Sequence, residues 1–197
     1  HGVASATHLL RVPVSPDWSD PSGLLGYVSP LGDEPTFQAT QALEFLLRAS
    51  GRPQDPFFLC LDEMNLARVE HYFAPFLSAM EGADSKLVIH GSRDVVDNVP
   101  ASIPWPKNLF ILGTVNMDET THAFSDKVLD RAFSFELWDV DLDAWRKSAV
   151  AADKREDVLD EIMPALTALH EALRPARRHF GYRVCDEVLG FCAAVPT

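Results

Sequence analysis

Cysteine is scarce in this chain of 197 residues: there are three, an odd number. Cys185 and Cys192 stand seven positions apart, roughly 10 Å along a helix at about 1.5 Å per residue, too far for a disulfide. No Cys or His pair has the spacing of a zinc site, and reduced thiols suit a cytoplasmic protein. Long apolar runs are missing too. None approaches the roughly 20 residues that cross a bilayer, so no membrane role is expected, and no signal peptide is visible. Positive charge is sparse: the net charge is −12 and no basic run is longer than Arg177-Arg178. A surface that acidic does not attract nucleic acid as a whole, leaving that role to a local patch. The rest is ordinary for a globular protein, with 47% hydrophobic and 23% charged residues. The length suits one large domain, or one domain plus a small one.

What is present is concentrated in "FFLCLDEMN", residues 57–65. Phe57-Phe58-Leu59-Cys60-Leu61 has no polar face, which predicts a strand covered on both sides, as in a parallel α/β sheet. Pro53 and Pro56 just upstream argue against a long helix. Asp62 and Glu63 then fall at the carboxyl end of that strand, where open α/β sheets bind ligands. Two adjacent carboxylates repel each other. A divalent cation would compensate them, and Mg²⁺ favours one or two carboxylates plus phosphate oxygens and water. A capped strand end followed by a turn is the plainer alternative.

The remaining pattern places that stretch in an α/β core. Residues 8–14 predict a strand, and 15–36, rich in Pro, Gly, Ser and Asp, a long loop. Residues 37–50 predict a helix that stops before Gly51-Arg52-Pro53. Leu66, Val69, Phe73, Phe76, Leu77 and Met80 form one helical stripe over 66–80, closed by Gly82. Residues 82–108 suggest a hairpin insertion. "NLFILGTVN" (108–116) is a second apolar run ending in a polar residue, and "AFSFEL" (132–137) predicts a third strand. After Asp139 the character changes. Leu159, Ile162, Leu166, Leu169 and Leu173, then Val184, Val188, Phe191, Cys192 and Val195, predict helices with one apolar face. The reading is an α/β core over 1–140 and a helical subdomain over 141–197.

Two apolar strands thus end in polar groups, Asp62 and Glu63 on one and Asn116 on the other. Adjacent parallel strands would bring all three to one sheet edge, where they make a plausible hydrolytic centre. Asp62 would hold a metal through water, Glu63 would take a proton from an attacking water, and Asn116 would orient that water or a phosphate. The alternative for Asn116 alone is a turn residue.

Two long motifs carry a resemblance. "FFLCLDEMNLARVEHYFAPFLSAME" resembles the Walker B segment and following helix of AAA+ NTPases. "NLFILGTVNMDETTHAFSDKVLDRAFSFEL" resembles their sensor 1 strand, arginine-finger region and fifth strand. The wording is closest to the McrB-like branch, the motor subunits of modification-dependent restriction systems and their relatives. "VSPDWSDPSGLLGY" and "FGYRVCDEVLGF" are similar to that branch as well, so the resemblance spans about residues 8–195. It implies an AAA+ parallel sheet flanked by helices, followed by a small helical lid. By position it makes Asp62 the Walker B metal-binding acid and Glu63 the catalytic base. Asn116 becomes sensor 1, Arg131 the arginine finger acting on a neighbour's nucleotide, and Arg183 the sensor 2 arginine. The implied cofactors are Mg²⁺ and ATP or GTP.

The chain departs from the family in two places. It contains no G-x-x-x-x-G-K-[ST], the loop whose backbone and Lys cradle phosphates. The family places that loop, and the first, central strand of the sheet, before residue 8. The chain opens on His1 rather than Met, and the expectation is a fragment of a longer protein. At sensor 1, Asn116-Met117-Asp118-Glu119 puts Glu where McrB proper has Asp, which leaves ATP at least as well supported as GTP. The implied assembly is a homo-oligomeric ring, most simply a hexamer, with a McrC-like nuclease partner and DNA reached through other domains or pore loops. The alternatives are a MoxR-like ATPase remodelling proteins, gripping them with the loops at 17–36 and 82–105 (Trp18, Tyr27, Lys86, Arg93), and a non-hydrolysing assembly module.

Overall fold

A computed structural model describes residues 7–31, 35–82, 85–92, 95–116, 121–152 and 155–194. Two compact units divide between Phe133 and Ser134. The first is α/β. Its sheet has three parallel strands in the order β1-β4-β7, formed by β1 (Leu9–Pro13), β4 (Phe57–Asp62) and β7 (Leu109–Gly113). Between β1 and β4 come α1 (Ser22–Leu25), the antiparallel pair β2 (Tyr27–Ser29) and β3 (Thr36–Gln38), and α2 (Gln41–Gly51). Between β4 and β7 come a 3₁₀ turn at Met64–Leu66, α3 (Val69–Tyr72), α4 (Ala74–Ala79) and the antiparallel pair β5 (Lys86–Val88) and β6 (Ser102–Pro104). The short helix α5 (Asp126–Leu129) follows β7.

The core sits on one face of the sheet. Phe57, Leu59 and Leu61 are buried there with Leu43, Phe45 and Leu46 of α2 and Phe76 of α4. The other face carries Leu9, Phe58, Cys60, Phe110 and Leu112, of which Leu9, Phe110 and Leu112 are half exposed. The expectation of a strand covered on both sides therefore holds for one side only among the described residues. Topology gives the reason. The chain steps from β1 to β4 to β7 in one direction, and right-handed crossovers taken in one direction lie on the same face.

Local chemistry explains the element ends. Thr40 caps α2 by accepting from the Leu43 amide at 3.1 Å. The predicted helix start at 37 is thus too early, and Phe37 belongs to β3. The loop over 15–36 contains α1 and β2. The helix predicted over 66–80 is two short helices, because Pro75 lacks an amide hydrogen and starts α4 afresh. Its apolar stripe still faces inward: Val69, Phe73, Phe76 and Leu77 are buried. The hairpin insertion is present, with Asp97 and Asn98 both left-handed (φ 49° and 64°) between the bridged residues Val96 and Val99. The Asn108 side-chain amide ties β7 to the end of α2, reaching the carbonyls of Ala49, Arg52 and Asp55 at 3.0, 2.9 and 2.7 Å.

The strand predicted over 132–137 does not form among the described residues. Phe133, Phe135 and Leu137 keep their alternation but are 95%, 86% and 97% exposed. A strand needs a neighbour to satisfy its backbone groups, and among the described residues no strand pairs with this segment.

The second unit is helical in its described residues: α6 (Leu142–Ala151), α7 (Glu156–Leu173) and α8 (Tyr182–Ala194). Its core is Leu142, Trp145, Ala149, Val158, Leu159, Ile162, Leu166, Cys185 and Leu189. Leu169, Val184 and Phe191 depart from the expected stripes. Leu169 faces out and His170 in, and Phe191 is 71% exposed while Cys185 is buried. Burial first, then the nearby His179 and Arg174, holds the His170 imidazole below its ordinary value. Val195 lies outside the described residues. All three cysteines are free. No described helix is long and apolar enough to cross a membrane.

Candidate functional site

The parallel pairing of β4 with β7 sets Leu61 opposite Gly113, so the residues that follow both strands leave the sheet together. Three of the sequence-predicted residues meet there. Asn116 Nδ2 donates to Glu63 Oε1 at 3.1 Å, and Asp62 lies one residue from Glu63 at the end of β4. Asp62 shares the strand face of Phe58 and Cys60 by the two-residue period. Glu63 departs from that alternation because its backbone is left-handed, φ 53° and ψ 49°. For a residue with a Cβ this conformation costs roughly 1–2 kcal/mol, so neighbouring bonds must hold it.

Those bonds come from Thr114. Its Oγ1 accepts from the Glu63 amide at 2.8 Å and donates to Asp62 Oδ1 at 2.8 Å. Its backbone carbonyl accepts from the Met64 amide at 2.8 Å, and its own amide donates to the Leu61 carbonyl at 3.0 Å. Gly113 leaves space for the turn: a Cβ there would meet Met64 Sδ at 2.5 Å. Asn65, fully buried in the 3₁₀ turn, donates through Nδ2 to the Asn116 carbonyl at 2.8 Å. The Asn65 carbonyl accepts from the His122 amide at 2.9 Å, and Thr121 Oγ1 donates to the Asn116 carbonyl at 2.9 Å. Tyr72, buried below, donates its hydroxyl to the Met64 carbonyl at 2.9 Å, and burial pushes its phenol well above the ordinary value.

Asp62 has a second partner. Arg11 of β1 sits opposite Cys60 on the same strand face and reaches Asp62 Oδ2 with its guanidinium. Arg11 first and Thr114 second hold the Asp62 carboxyl below the usual carboxylate range. Burial, with the Asp62 charge, pushes the Cys60 thiol up. Asp62 is therefore ionised at neutral pH. A lowered carboxyl stabilises the folded chain above the unfolded value of about 3.9, and that contribution is lost as pH falls through the lower folded value. Replacing Arg11 by Gln removes the first cause. In a carbon-13 carboxyl titration Asp62 is expected to move up toward the unperturbed value, with the acid end of the stability curve moving in the same direction. An Asp62 titration identical in the native and R11Q chains would show that the pair does not form in solution.

Among the described residues no three His, Cys, Asp or Glu side chains converge on one metal position. Asp62 offers a single carboxylate, with Oδ1 held by Thr114 and Oδ2 by Arg11. It does not suit zinc or calcium caged by protein ligands.

Arg131 makes its bonds to other groups of the first unit, and Arg183 belongs to the second unit. Arg131 follows α5 and pairs with Glu81, while its Nη1 donates to the Lys127 carbonyl at 2.6 Å. Arg183 is exposed in the first turn of α8, in the second unit. Asp118 and Glu119 lie outside the described residues, as does Arg93. Of the loop aromatics, Trp18 packs over Gly23 and stands edge-on to Tyr72 with ring centroids 5.3 Å apart, whereas Tyr27 is exposed. Sequence reasoning missed Arg11, Asn65 and Thr114. Arg11 could have been found from its strand period, and Thr114 from its place two residues before Asn116. Asn65 left no signal, since a polar residue just after a strand usually faces water.

Residues 136–197 match a family described as a domain of unknown function (DUF8727). That span takes in the three helices of the second unit and none of the acidic cluster. No curated protein matches the chain.

Proposed function

We propose that this chain is part of a AAA+ nucleoside triphosphatase of the McrB-like branch, hydrolysing ATP or GTP in a ring of identical subunits to drive DNA translocation or restriction. The observation that carries the reading is the meeting of Glu63 and Asn116, from adjacent parallel strands, beside an ionised Asp62. Glu63 accepts the proton of an attacking water and Asn116 orients the Glu63 carboxylate. Asp62 would hold Mg²⁺, which would supply charge neutralisation at the phosphate oxygens. The sheet supports the reading in two further ways. Among the described residues no strand pairs with the outer edge of β7, next to the acidic cluster, where a strand ending in a phosphate loop would fit. The uncovered apolar face beside it suits the helix that follows such a loop.

In the ring, Arg131 reaches the nucleotide of the next subunit, and the 134–197 unit serves as the lid carrying Arg183. A McrC-like nuclease subunit is the partner the restriction branch implies. The test is nucleotide turnover by the intact protein, compared for Mg-ATP and Mg-GTP. Turnover of either, dependent on protein concentration as a ring requires, supports the reading. Nucleotide binding without turnover would move the chain to a non-hydrolysing assembly module.

A further inference from the structure

We propose that Thr114 is the positioning residue of the acidic pair, setting Asp62 and Glu63 in one arrangement through a single hydroxyl. The catalytic consequence rests on the hydrolase reading above. The Thr114 hydroxyl has one hydrogen and two lone pairs. The hydrogen goes to Asp62 Oδ1 at 2.8 Å, and one lone pair takes the Glu63 amide at 2.8 Å. With the donor spent on Asp62, the oxygen faces Glu63 as an acceptor, so the two bonds fix each other's direction. The Glu63 amide bond is the one that opposes the left-handed strain at that residue. Asn116, two residues on, receives the result: its amide meets the Glu63 carboxylate only if the backbone turns here.

Thr114 thus acts from the neighbouring strand on both acids, through Asp62 Oδ1 and the Glu63 amide. The Thr114 backbone bonds to Leu61 and Met64 do not depend on its side chain. Thr114→Val therefore keeps these backbone bonds and the β-branched shape, and removes the hydroxyl alone.

The experiment compares native protein with Thr114→Val and Thr114→Ser in the intact protein. One arm is steady-state turnover of Mg-ATP and Mg-GTP, and the other is hydrogen exchange at the Glu63 amide. In Thr114→Val, kcat is expected to fall about tenfold to a hundredfold, as for a misplaced catalytic group, with KM changed less than about threefold. The Glu63 amide is expected to exchange at least about tenfold faster, having lost its acceptor. Thr114→Ser restores the hydroxyl and is expected to return both readouts to within about threefold of native. Thr114 is exposed, so neither change opens the core. If Thr114→Val nevertheless impairs assembly, Thr114→Ala must show the same amide acceleration. Native-like kcat and amide protection in Thr114→Val would overturn the proposal, and so would an equal loss in Thr114→Ser, which would assign the effect to shape. If the native protein turns over neither nucleotide, the hydrolase reading falls while the amide arm still decides Thr114.

Discussion

Glu63→Gln in the intact protein is expected to bind Mg-nucleotide as the native protein does and to lose hydrolysis by about a hundredfold or more, the usual contribution of a positioned base. The change is unusually clean here. Gln keeps Oε1, which is the atom that accepts from Asn116. The Glu63 side chain is exposed, so no buried charge is removed. Gln and Glu tolerate the left-handed backbone about equally, and the Thr114 bond is to the amide rather than to the side chain. What disappears is the basic site alone. Nucleotide affinity and turnover measured together check the outcome. Turnover within about threefold of native would return Glu63 to the role of a turn residue after a strand.

Arg131→Ala is expected to have the second large effect. Hydrolysis should fall by about a thousandfold or more, the range measured for fingers on phosphoryl transfer, with nucleotide affinity nearly unchanged. Within the chain Arg131 is paired with Glu81, so a structural explanation competes and has its own control. The Glu81 end of the pair is exposed, and an ion pair at the surface is worth about 0–1 kcal/mol. Glu81→Gln therefore should leave turnover near native if Arg131 acts on a neighbour, and should copy the Arg131→Ala loss if the pair itself matters. Complementation supplies the second control. Rings mixed from inactive Arg131→Ala and inactive Glu63→Gln subunits contain some interfaces with an intact base and an intact finger, and these should hydrolyse. Mixed rings that assemble and remain inactive would remove the support for action in trans.

How far the sequence reached can be followed residue by residue. The apolar runs ending at Asp62 and at Asn116 are legible as strands or short buried helices, and Pro53 and Pro56 argue against a long helix at the first. Their adjacency was a correct expectation: β4 and β7 pair in parallel, and Asn116 meets Glu63. The third strand failed for a different reason. "AFSFEL" has the alternation of a strand, but alternation describes which side chains would share a face and does not provide a partner. The split of the 66–80 helix was written in Pro75, whose ring ends one helix and opens the next. The expected α7 stripe is buried at Leu159, Ile162 and Leu166 and fails at Leu169, and the α8 stripe fails at Val184 and Phe191. Helical period alone admits two overlapping faces in such apolar segments, and packing chose the one containing His170 and Cys185.

By itself, then, the sequence determined an α/β unit, a helical unit after it, and a carboxylate pair at the end of a buried strand facing an Asn. These follow from composition and period, which act over a few residues. The tertiary structure alone decided which side of the sheet is covered, because that depends on the direction and hand of two crossovers. It also decided how the carboxylates are held. Arg11 is 51 residues from Asp62 in the chain, and Thr114 is 52 away. Bonds of that range exist only once register has set three strands side by side, and register is a property of the sheet rather than of any strand in it.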